Sequence, residues 1–307
     1  MHTSGSLVKE REKVTVFLNA SAGTASNHPH MAGELDDLFA AAGCHATIKS
    51  LREGEDVNRL ARDASADASI VVAAGGDGTV SAVAGGIVGS RAALGVLPLG
   101  TLNHFAKDLQ IPLNLRQAVE VIAAGQRTRV DVGEVNGRVF VNNSSIGVYP
   151  DIVQERDVLR RQGHAKWPAM AIATLRVLRR SLDVKVGVEV DGRQTNWQTP
   201  FVLVGNNEYV VDGIRLGSRA RIDQGTLFLY LAPLARGSDL PALVARALIG
   251  RTMTSHAFEI APTPELTIHT RTTRMIRVAI DGEVVQLTTP LRYRTRPGAL
   301  HVLAPPP

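Results

Sequence analysis

A glycine-rich turn at residues 75–79, Gly-Gly-Asp-Gly-Thr, constrains the fold of this chain more than any other feature. An apolar run at residues 70–74 enters the turn, and a segment with helix-like composition leaves it at Ser81. This order predicts a strand, a tight turn and a helix. The glycines let the backbone approach an anion closely, and the helix start offers free N–H groups and a positive dipole end to phosphate. A tight turn that binds no ligand is the alternative, because glycine turns are common.

Asp77 is the unusual member of this turn, because a carboxylate repels phosphate. Its presence is explained if the carboxylate contacts a magnesium ion, a ribose hydroxyl or a backbone N–H group. The local sequence leaves all three contacts open.

The length and charge of the chain narrow the classes of protein it can belong to. A chain of 307 residues is long for one core and suggests two domains. The net charge of +5 favours acidic partners, namely a nucleotide, an anionic membrane or a nucleic acid. Aromatic residues make up only 4% of the chain, which argues against a surface that stacks on bases, so no nucleic-acid partner is expected. The single cysteine, Cys44, excludes a disulfide framework and a cysteine-based zinc site.

No segment of the sequence indicates export or insertion into a bilayer. Residues 1–12 are polar and lack the apolar core of a signal peptide. Nowhere do about 18 apolar residues follow one another, as a membrane-spanning helix requires. We therefore expect a cytoplasmic protein, with peripheral contact to a membrane surface as an added possibility.

Strands and helices alternate over the first part of the chain. Strands are predicted at residues 14–18, 45–51, 70–74 and 94–99, and helices at 31–42, 56–64 and 115–124. This alternation predicts a mostly parallel sheet covered by helices. Asn19 directly follows the first strand, where residues of an α/β unit often lie near a ligand, although a plain turn is equally compatible.

The pattern changes near residue 130. Asn136-Gly137, Asp191-Gly192 and Asp281-Gly282 each separate two short runs, and such dipeptides are strong signals for type I′ hairpins. Antiparallel strands therefore dominate the second part, with a helical stretch predicted at 154–182 that is broken around 163–168, and a helix at 239–249. Strands are predicted at 129–134, 138–142, 184–190, 194–198, 201–205, 227–231, 266–269, 274–280, 284–287, 291–296 and 299–303. A domain boundary is predicted at this change.

Five segments occur in the order of the motifs of one known family. They are Gly-Gly-Asp-Gly-Thr at 75–79, Pro-Leu-Gly-Thr-Leu-Asn-His-Phe-Ala-Lys at 98–107, Asn-Asn-Ser-Ser-Ile-Gly at 142–147, Gly-Asn-Asn at 205–207 and Asp-Gly-Glu at 281–283. On these segments the chain resembles the diacylglycerol kinase catalytic-domain superfamily of lipid kinases. That superfamily includes bacterial diacylglycerol kinases, related bacterial lipid kinases and sphingosine kinases.

The resemblance implies an α/β plus β fold with two domains. Residues 12–129 are expected to form a nucleotide-binding α/β domain with a mostly parallel sheet, and residues 130–290 an antiparallel β-rich domain that binds the lipid substrate. Residues 291–303 are expected to fold back onto the first domain. ATP is expected in the cleft between the domains.

The resemblance also implies where ATP and its Mg²⁺ are bound. The expected nucleotide-binding residues are Asn19, Ser50, Gly75, Gly76, Asp77, Gly78, Thr79, Val80, Ser81, Gly100, Thr101 and Asn103. Asp77 is also expected to hold the Mg²⁺ bound to ATP, directly or through water, with Glu283 as an alternative holder.

The Asp-Gly-Glu segment is the expected catalytic turn. By resemblance, Asp281 is the general base that accepts the proton of a lipid hydroxyl as its oxygen attacks the γ-phosphorus in line. Glu283 supplies a second carboxylate, whereas Asp191-Gly192 is followed by Arg193. A hairpin turn without chemistry is the alternative.

Three positions depart from the family pattern. Ala82 stands where the family usually has Glu, and His104 stands where many members have Asp. Gln224 precedes Gly225 at a turn that binds structural Mg²⁺ in some bacterial members through an aspartate, and a neutral amide is a poorer ligand for a hard cation. No metal site is therefore predicted at that turn.

The predicted function is that of an ATP-dependent lipid kinase. It would transfer the γ-phosphoryl group to a hydroxyl of diacylglycerol or a sphingoid-like lipid. Two alternatives are a kinase of a soluble substrate, such as a nicotinamide dinucleotide, and a nucleotide-binding regulatory protein that has lost catalysis. An anionic membrane surface and a second copy of the chain, as a homodimer, are further candidate partners.

A basic segment in the second domain suggests where a membrane would bind. Arg156, Arg160, Arg161, His164 and Lys166 precede a helical pattern that places Leu175, Leu178 and Leu182 on one face. Basic residues near anionic headgroups contribute about 1 kcal/mol each. An ordinary amphipathic surface helix is the alternative.

Overall fold

The computed structural model describes residues 12–20, 30–162, 169, 172–173, 184–212, 215–231, 259–270 and 274–306. The chain divides into two compact units, one of Met1–Val132 with Pro297–Pro307 and one of Gly133–Arg296. The boundaries predicted from the sequence lie at residues 129/130 and 290/291. The chain passes between the units within two strands, so no linker marks either boundary in the sequence.

A parallel sheet forms the centre of the first unit. Its strands are β1 (Val14–Leu18), β2 (Ala46–Ser50), β3 (Ile70–Gly75), β4 (Ala93–Pro98) and the end of β18 (Leu291–Leu303). They lie in the order β2-β1-β3-β4-β18. Every residue of β1, β3 and β4 is buried, because central strands of a parallel sheet are covered on both faces.

Five helices of the first unit follow its strands. They are α1 (Met31–Ala41), α2 (Val57–Ser65), α3 (Asp77–Ile87), α4 (His104–Asp108) and α5 (Leu115–Ala124). Two of them begin at side-chain caps: the Asp56 carboxylate accepts the Arg59 N–H at 3.0 Å, and the Asn114 side chain accepts the Gln117 N–H at 3.2 Å. These local signals explain why the predicted starts of α2 and α5 agree with the observed starts to within one residue.

One of two adjacent glycines in α3 lets helices α2 and α3 pack closely. A Cβ atom on Gly86 would clash with the Asn58 carbonyl oxygen and would lie 2.8 Å from the Ala61 Cβ. A Cβ atom on Gly85 would meet only the flexible end of the Asn58 side chain, at 2.5 Å. Gly86 is therefore the position that permits the close approach, and this packing sets the position of α3.

Antiparallel strands make up the second unit. They are the end of β5 (Arg127–Val135), β6 (Arg138–Phe140), β7 (Asn143–Gly147), β8 (Val184–Val190), β9 (Arg193–Thr199), β10 (Phe201–Asn206), β11 (Tyr209–Asp212), β12 (Arg215–Arg219), β13 (Leu227–Leu231), β14 (Glu259–Thr263), β15 (Glu265–Thr270), β16 (Met275–Ile280), β17 (Glu283–Thr288) and the start of β18. One sheet has the order β14-β13-β10-β7-β16-β17, and a second contains β18-β15-β8-β9. β5 pairs with β18 and β6, whereas β11 and β12 form a separate hairpin. Helix α6 (Val148–Arg161) packs on β7 and β16.

The core of the second unit lies between its two larger sheets. Alternate side chains of both sheets meet there, including Ile146, Val202 and Val278 from the first and Val186, Ile268 and Tyr293 from the second. The strands therefore form a sandwich. With the parallel α/β sheet of the first unit, this confirms the fold class predicted from the sequence.

The three predicted two-residue hairpins are all present. In each, the residue before the turn pairs with the residue after it, and both central residues have positive φ, as a type I′ turn requires. The central φ values are 47° and 83° at Asn136-Gly137, 48° and 71° at Asp191-Gly192, and 46° and 88° at Asp281-Gly282.

Other elements differ from the prediction. β7 was not predicted, because its Asn-Ser-Ser-Ile-Gly sequence has one large apolar residue; it is a strand because β10 and β16 pair with it on both sides. Strands β11, β12 and β14 were also not predicted. β18 was predicted as two strands separated at Pro297-Gly298, but it is continuous. Gly298 takes a φ of 56° there, and its N–H donates to Asp131 Oδ1 at 2.8 Å.

Two sequence predictions lie outside the described residues. They are the helix at 239–249 and the greater part of the basic segment, including His164, Lys166 and the three leucines that follow. Among the helices that the structure describes, none has both the length and the apolar content needed to cross a membrane.

Candidate active site

The glycine turn joins strand β3 to helix α3 as the sequence predicted. β3 ends at Gly75, Gly76 is the N-cap residue of α3, and no side chain caps this helix start among the described residues. Helix α3 has 11 residues. The first turn of a helix presents backbone N–H groups without partners in the helix, together with the positive end of the helix dipole. This arrangement suits an anion such as phosphate.

The second glycine loop packs directly against the first. A Cβ atom on Gly100 would lie 2.5 Å from the Gly76 Cα, and the Leu99 N–H donates to the Gly75 carbonyl at 3.0 Å. The second loop therefore needs glycine at position 100, whereas a Cβ atom on Gly76 would lie 3.4 Å from the Gly100 Cα, an ordinary contact. The position of the two loops at the carboxyl ends of β3 and β4 is where ligands bind in open α/β sheets.

Asn103 shapes the second loop from within. Its Oδ1 accepts the Gly100 N–H at 3.0 Å, and its Nδ2 donates to the Gly100 carbonyl at 2.9 Å. The residue is buried and lies in the left-handed region with a φ of 51°, a conformation that asparagine tolerates better than most residues. The observed contacts of Asn103 are thus to its own loop, and its contact with a nucleotide stays a prediction.

Asp77 connects the two loops. Its Oδ1 accepts the N–H of Phe105, in the first turn of α4, at 3.3 Å. Of the three contacts considered for this carboxylate, the structure shows the one with a backbone N–H. His104, one residue earlier, is exposed, and Ala82 lies half-buried one turn into α3.

The described side chains could hold a metal ion only together with other ligands, such as substrate phosphates and water. Among the described residues, no group of three or more His, Cys, Asp or Glu side chains converges. Mg²⁺ in kinase sites is usually held by one or two carboxylates together with substrate phosphates and water. Asp77 meets that requirement for an ion that arrives with ATP. The assignment of Asp77 to Mg²⁺ stays a prediction.

Asn19 and Ser50, two further predicted nucleotide-binding residues, lie at the same edge of the sheet. Asn19 Nδ2 donates to Thr79 Oγ1 at 3.0 Å, and the Asn19 N–H donates to the Ala74 carbonyl at 2.9 Å. Ser50, at the end of β2, is in register with Leu18 at the end of β1. The structure therefore brings Asn19 and Ser50 to the edge where the glycine turn lies.

The Asp-Gly-Glu turn is held by its first carboxylate. Asp281 Oδ2 accepts the N–H of Val141 at 2.8 Å, while Oδ1 accepts those of Asn142 and Asn143 at 2.8 and 2.9 Å. The Asp281 N–H in turn donates to the Asn143 carbonyl at 2.9 Å. Of the about four acceptor positions that a carboxylate offers, three are thus occupied by residues 141–143, which link β6 to the first residue of β7.

Glu283 is arranged differently from Asp281. It is the first residue of β17, it is exposed, and its carboxylate makes no hydrogen bond or ion pair with the residues that the structure describes. The turn therefore combines one fixed carboxylate with one that faces solvent. At Asp191-Gly192 the same local turn carries an exposed aspartate, so the backbone conformation alone does not create this arrangement.

Sequence reasoning missed the polar network beside this turn. The buried Arg219 donates to the carbonyls of Val141 and Asn206 at 2.6 and 2.8 Å, and to Asn142 Oδ1 at 2.9 Å. Asn206 Nδ2 also donates to the Val141 carbonyl, at 3.0 Å. Asn142 and Asn206 lie in two of the segments that resemble the family, at 142–147 and 205–207. No local pattern around Arg219 indicates that this arginine is buried.

The turn at Gln224 is held by protein contacts. Asp223 pairs with Arg221 at 3.0 Å, and Gln224 Oε1 accepts the Glu208 N–H at 3.3 Å. The Gln224 N–H donates to Asn207 Oδ1 at 3.0 Å. The two hydrogen bonds tie the turn to the segment at residues 207–208, and the ion pair lies within the turn.

Two families match the two parts of the chain. Residues 13–135 match the diacylglycerol kinase catalytic domain, and residues 145–304 match the YegS C-terminal NAD kinase beta sandwich-like domain. A protein named "Diacylglycerol kinase" from Staphylococcus saprophyticus is 26% identical over 245 residues, which cover 78% of this chain and 79% of that protein. A protein named "Probable lipid kinase YegS-like" from Pseudomonas fluorescens is 28% identical over 272 residues, covering 86% and 87%.

Solved structures show the same fold. A crystal structure from Bacillus anthracis matches with a TM-score of 0.78 and 23% identity over 99% of each chain. A diacylglycerol kinase structure from the same organism matches with a TM-score of 0.69 and 21% identity, covering 96% of this chain and 97% of that one. The two family matches, the α/β unit with its paired glycine loops and the β sandwich with its Asp-Gly-Glu turn agree with one another, and the chain belongs to the diacylglycerol kinase catalytic-domain superfamily.

Proposed function

We propose that this protein is an ATP-dependent lipid kinase that transfers the γ-phosphoryl group to a lipid hydroxyl. The observation that carries the proposal is the Asp281-Gly282-Glu283 turn, in which three N–H groups fix one carboxylate while the other is exposed. A kinase needs a general base for the attacking hydroxyl, and an exposed carboxylate on a rigid turn provides one.

The glycine loops supply the other half of the chemistry. The N–H groups at the start of α3 suit the phosphates of ATP, and Gly76 and Gly78 at that start are not buried. Phosphoryl transfer spreads charge over the transferring oxygens, so that positioning and cation stabilisation supply most of the acceleration. Mg²⁺ bound with ATP would supply such stabilisation, and Asp77 is the carboxylate that we propose would hold it.

Within the turn we propose Glu283 as the base and Asp281 as the residue that fixes its position. The sequence-based expectation assigned the base to Asp281. Three of the about four acceptor positions of the Asp281 carboxylate are taken by N–H donors, whereas the exposed Glu283 carboxylate has no partner among the described residues and offers all of its acceptor positions to the incoming hydroxyl. Asp281 is the competing candidate for the base, and substitution of Glu283 distinguishes the two assignments.

The test uses labelled ATP, Mg²⁺ and a total lipid extract, followed by identification of the phosphorylated product. The wild-type protein should label a lipid. The Glu283→Gln variant should lose about 10²- to 10⁴-fold in turnover, because it lacks the base, while it keeps its affinity for ATP. Near-normal turnover of Glu283→Gln would contradict its assignment and return the role to Asp281. No labelled lipid with wild-type protein would refute the lipid substrate.

A soluble acceptor is the second candidate. It is favoured by the family description of residues 145–304 as NAD kinase beta sandwich-like. Adding NAD to the same assay in place of lipid decides between the two, since only one acceptor should be phosphorylated. A protein that binds ATP but phosphorylates neither acceptor would instead fit the regulatory alternative.

An anionic membrane is the proposed partner through which a lipid substrate is reached. Sedimentation with vesicles of neutral lipid, with and without anionic lipid, tests this. We expect binding to rise with anionic lipid and to fall with salt, because basic side chains act through screened charge. Binding that is independent of anionic lipid would contradict this proposal.

A further inference from the structure

A buried arginine lies behind the Asp-Gly-Glu turn, outside every motif that resembles the family. Arg219 is the last residue of β12 and is only 3% exposed. Its guanidinium donates to the carbonyls of Val141 and Asn206 and to Asn142 Oδ1, at 2.6 to 2.9 Å. Three acceptors on two chain segments are thus held by one planar group, which lysine cannot imitate because an ammonium is a point charge.

The segment that Arg219 holds is the segment that Asp281 holds. Arg219 bonds to acceptor groups of Val141 and Asn142, whereas Asp281 bonds to the N–H groups of Val141, Asn142 and Asn143. A cation and an anion therefore hold Val141 and Asn142 through opposite sets of atoms, and Asp281 also binds the N–H of Asn143. Moving either one changes the direction of peptide groups that the other binds.

The guanidinium itself is fixed by aromatic residues. It stacks on the ring of Tyr209 at 5.6 Å from the ring centre. The Tyr209 N–H donates to the hydroxyl of Tyr230 at 2.9 Å, and Asn143 Nδ2 donates to the Tyr209 hydroxyl at 3.2 Å. Arg219 thus has little rotational freedom, which is the requirement for a group that sets the geometry of others.

We infer that Arg219 is a positioning residue for phosphoryl transfer. It holds residues 141–143 so that their three N–H groups converge on Asp281, and this convergence places Glu283 for the attacking hydroxyl. The effect on catalysis rests on the proposed function. The positioning of residues 141–143 by Arg219 rests on the hydrogen bonds alone. Misplacement of a catalytic group by about 1 Å can lower a rate by about 10²-fold.

The test compares Arg219→Lys and Arg219→Met with Arg221→Lys as the matched control. Arg221 lies two residues further along, is exposed, and pairs only with Asp223 among the described residues. We expect Arg219→Lys to lower kcat by about 10- to 10²-fold with the KM for ATP unchanged, because the glycine loops belong to the first unit. The control should keep both values.

A double-mutant cycle with Glu283→Gln separates positioning from general destabilisation. If Arg219 acts through Glu283, Arg219→Lys should cause little further loss of kcat in the Glu283→Gln background. The inference would be overturned if the fold-losses of kcat in the two single variants multiplied in full in the double variant. An unchanged kcat in a folded Arg219→Lys protein would also overturn it.

Hydrogen exchange supplies a readout that needs no activity. In Arg219→Lys and Arg219→Met, the amides of Val141, Asn142 and Asn143 should exchange faster, and those of residues 75–81 should not change. Unchanged exchange at the three amides overturns the inference even if the protein is an active kinase. Faster exchange in a protein that phosphorylates nothing supports the positioning contact and refutes only the proposed function.

Discussion

Replacing Asp281 should destabilise the second unit far more than replacing an aspartate in an equivalent turn. The Asp281 carboxylate accepts three backbone N–H groups, from Val141, Asn142 and Asn143. The first two of these residues are buried, at 0% and 5% exposure, so water cannot readily take over from the carboxylate. A buried donor without an acceptor costs about 1–3 kcal/mol.

The size of the effect follows from the atoms removed. Asp281→Ala leaves two buried donors unsatisfied and places alanine at a φ of 46°, so we expect a loss of about 3–7 kcal/mol in the free energy of unfolding. Asp281→Asn keeps one oxygen, which can retain the bonds from Asn142 and Asn143, but turns an NH₂ group toward the Val141 N–H. We expect a loss of about 1–3 kcal/mol for this variant.

Asp191 is the matched control for these substitutions. It occupies the same position of a type I′ turn with a φ of 48°, and its carboxylate makes no hydrogen bond with the described residues. Asp191→Ala should therefore cost only the backbone term of about 1 kcal/mol. Asp191→Asn should cost less, since asparagine favours this conformation.

Urea unfolding followed by tryptophan fluorescence measures these differences in the second unit. Trp167 and Trp197, the two tryptophans of the chain, both fall within residues 133–296. The expected order of destabilisation is Asp281→Ala, then Asp281→Asn, then Asp191→Ala. If Asp281→Ala were no more destabilising than Asp191→Ala, the carboxylate would not hold residues 141–143, and the assignment of roles within the turn would fail with it.

Three further predictions concern other parts of the molecule. Gly86→Ala should destabilise the protein by about 1–3 kcal/mol because its Cβ meets backbone, whereas Gly85→Ala should be near neutral; equal midpoints in thermal unfolding would contradict this. Asn103→Ala should weaken ATP binding in calorimetry more than Asn103→Asp, which keeps the acceptor for the Gly100 N–H; unchanged affinities would show that the loop does not need this side chain. Burial raises the pKa of Tyr230 to about 12, above the value of about 10 in the unfolded chain, so its contribution to stability should be complete below pH 10 and lost as pH rises toward 12. Between pH 10 and 12 the urea midpoint should therefore fall less steeply in Tyr230→Phe than in the wild-type protein. If the midpoints of the two proteins fell equally with pH, ionisation of Tyr230 would not be the cause.

Elements whose signals are local were predictable. The three hairpins depend on two residues each, and the strand–turn–helix at 70–87 depends on an apolar run followed by glycines. Strands without such signals were missed: β7 is polar over most of its length and exists because β10 and β16 pair with it. The break expected at Pro297-Gly298 was also wrong, because pairing on either side of it carries β18 through.

The glycine turn shows the same division within the candidate site. Its strand, its glycines and its helix follow from residues 70–87, and so does the expectation of a phosphate cradle. The contact of Asp77 with the Phe105 N–H and the packing of Gly76 on Gly100 depend on loops that the sheet brings together. No pattern within the first loop indicates either contact.

The aspartate turns mark most clearly where sequence stops determining this protein. Sequence alone determined that Asp191-Gly192 and Asp281-Gly282 would both form type I′ turns, because φ and ψ preferences act within a few residues. Only tertiary structure decided that one aspartate lies exposed while the other binds three N–H groups about 140 residues away along the chain. Arg219 was decided in the same way: its burial against residues 141–143 depends on the pairing of strands far apart in sequence, and no local preference encodes it.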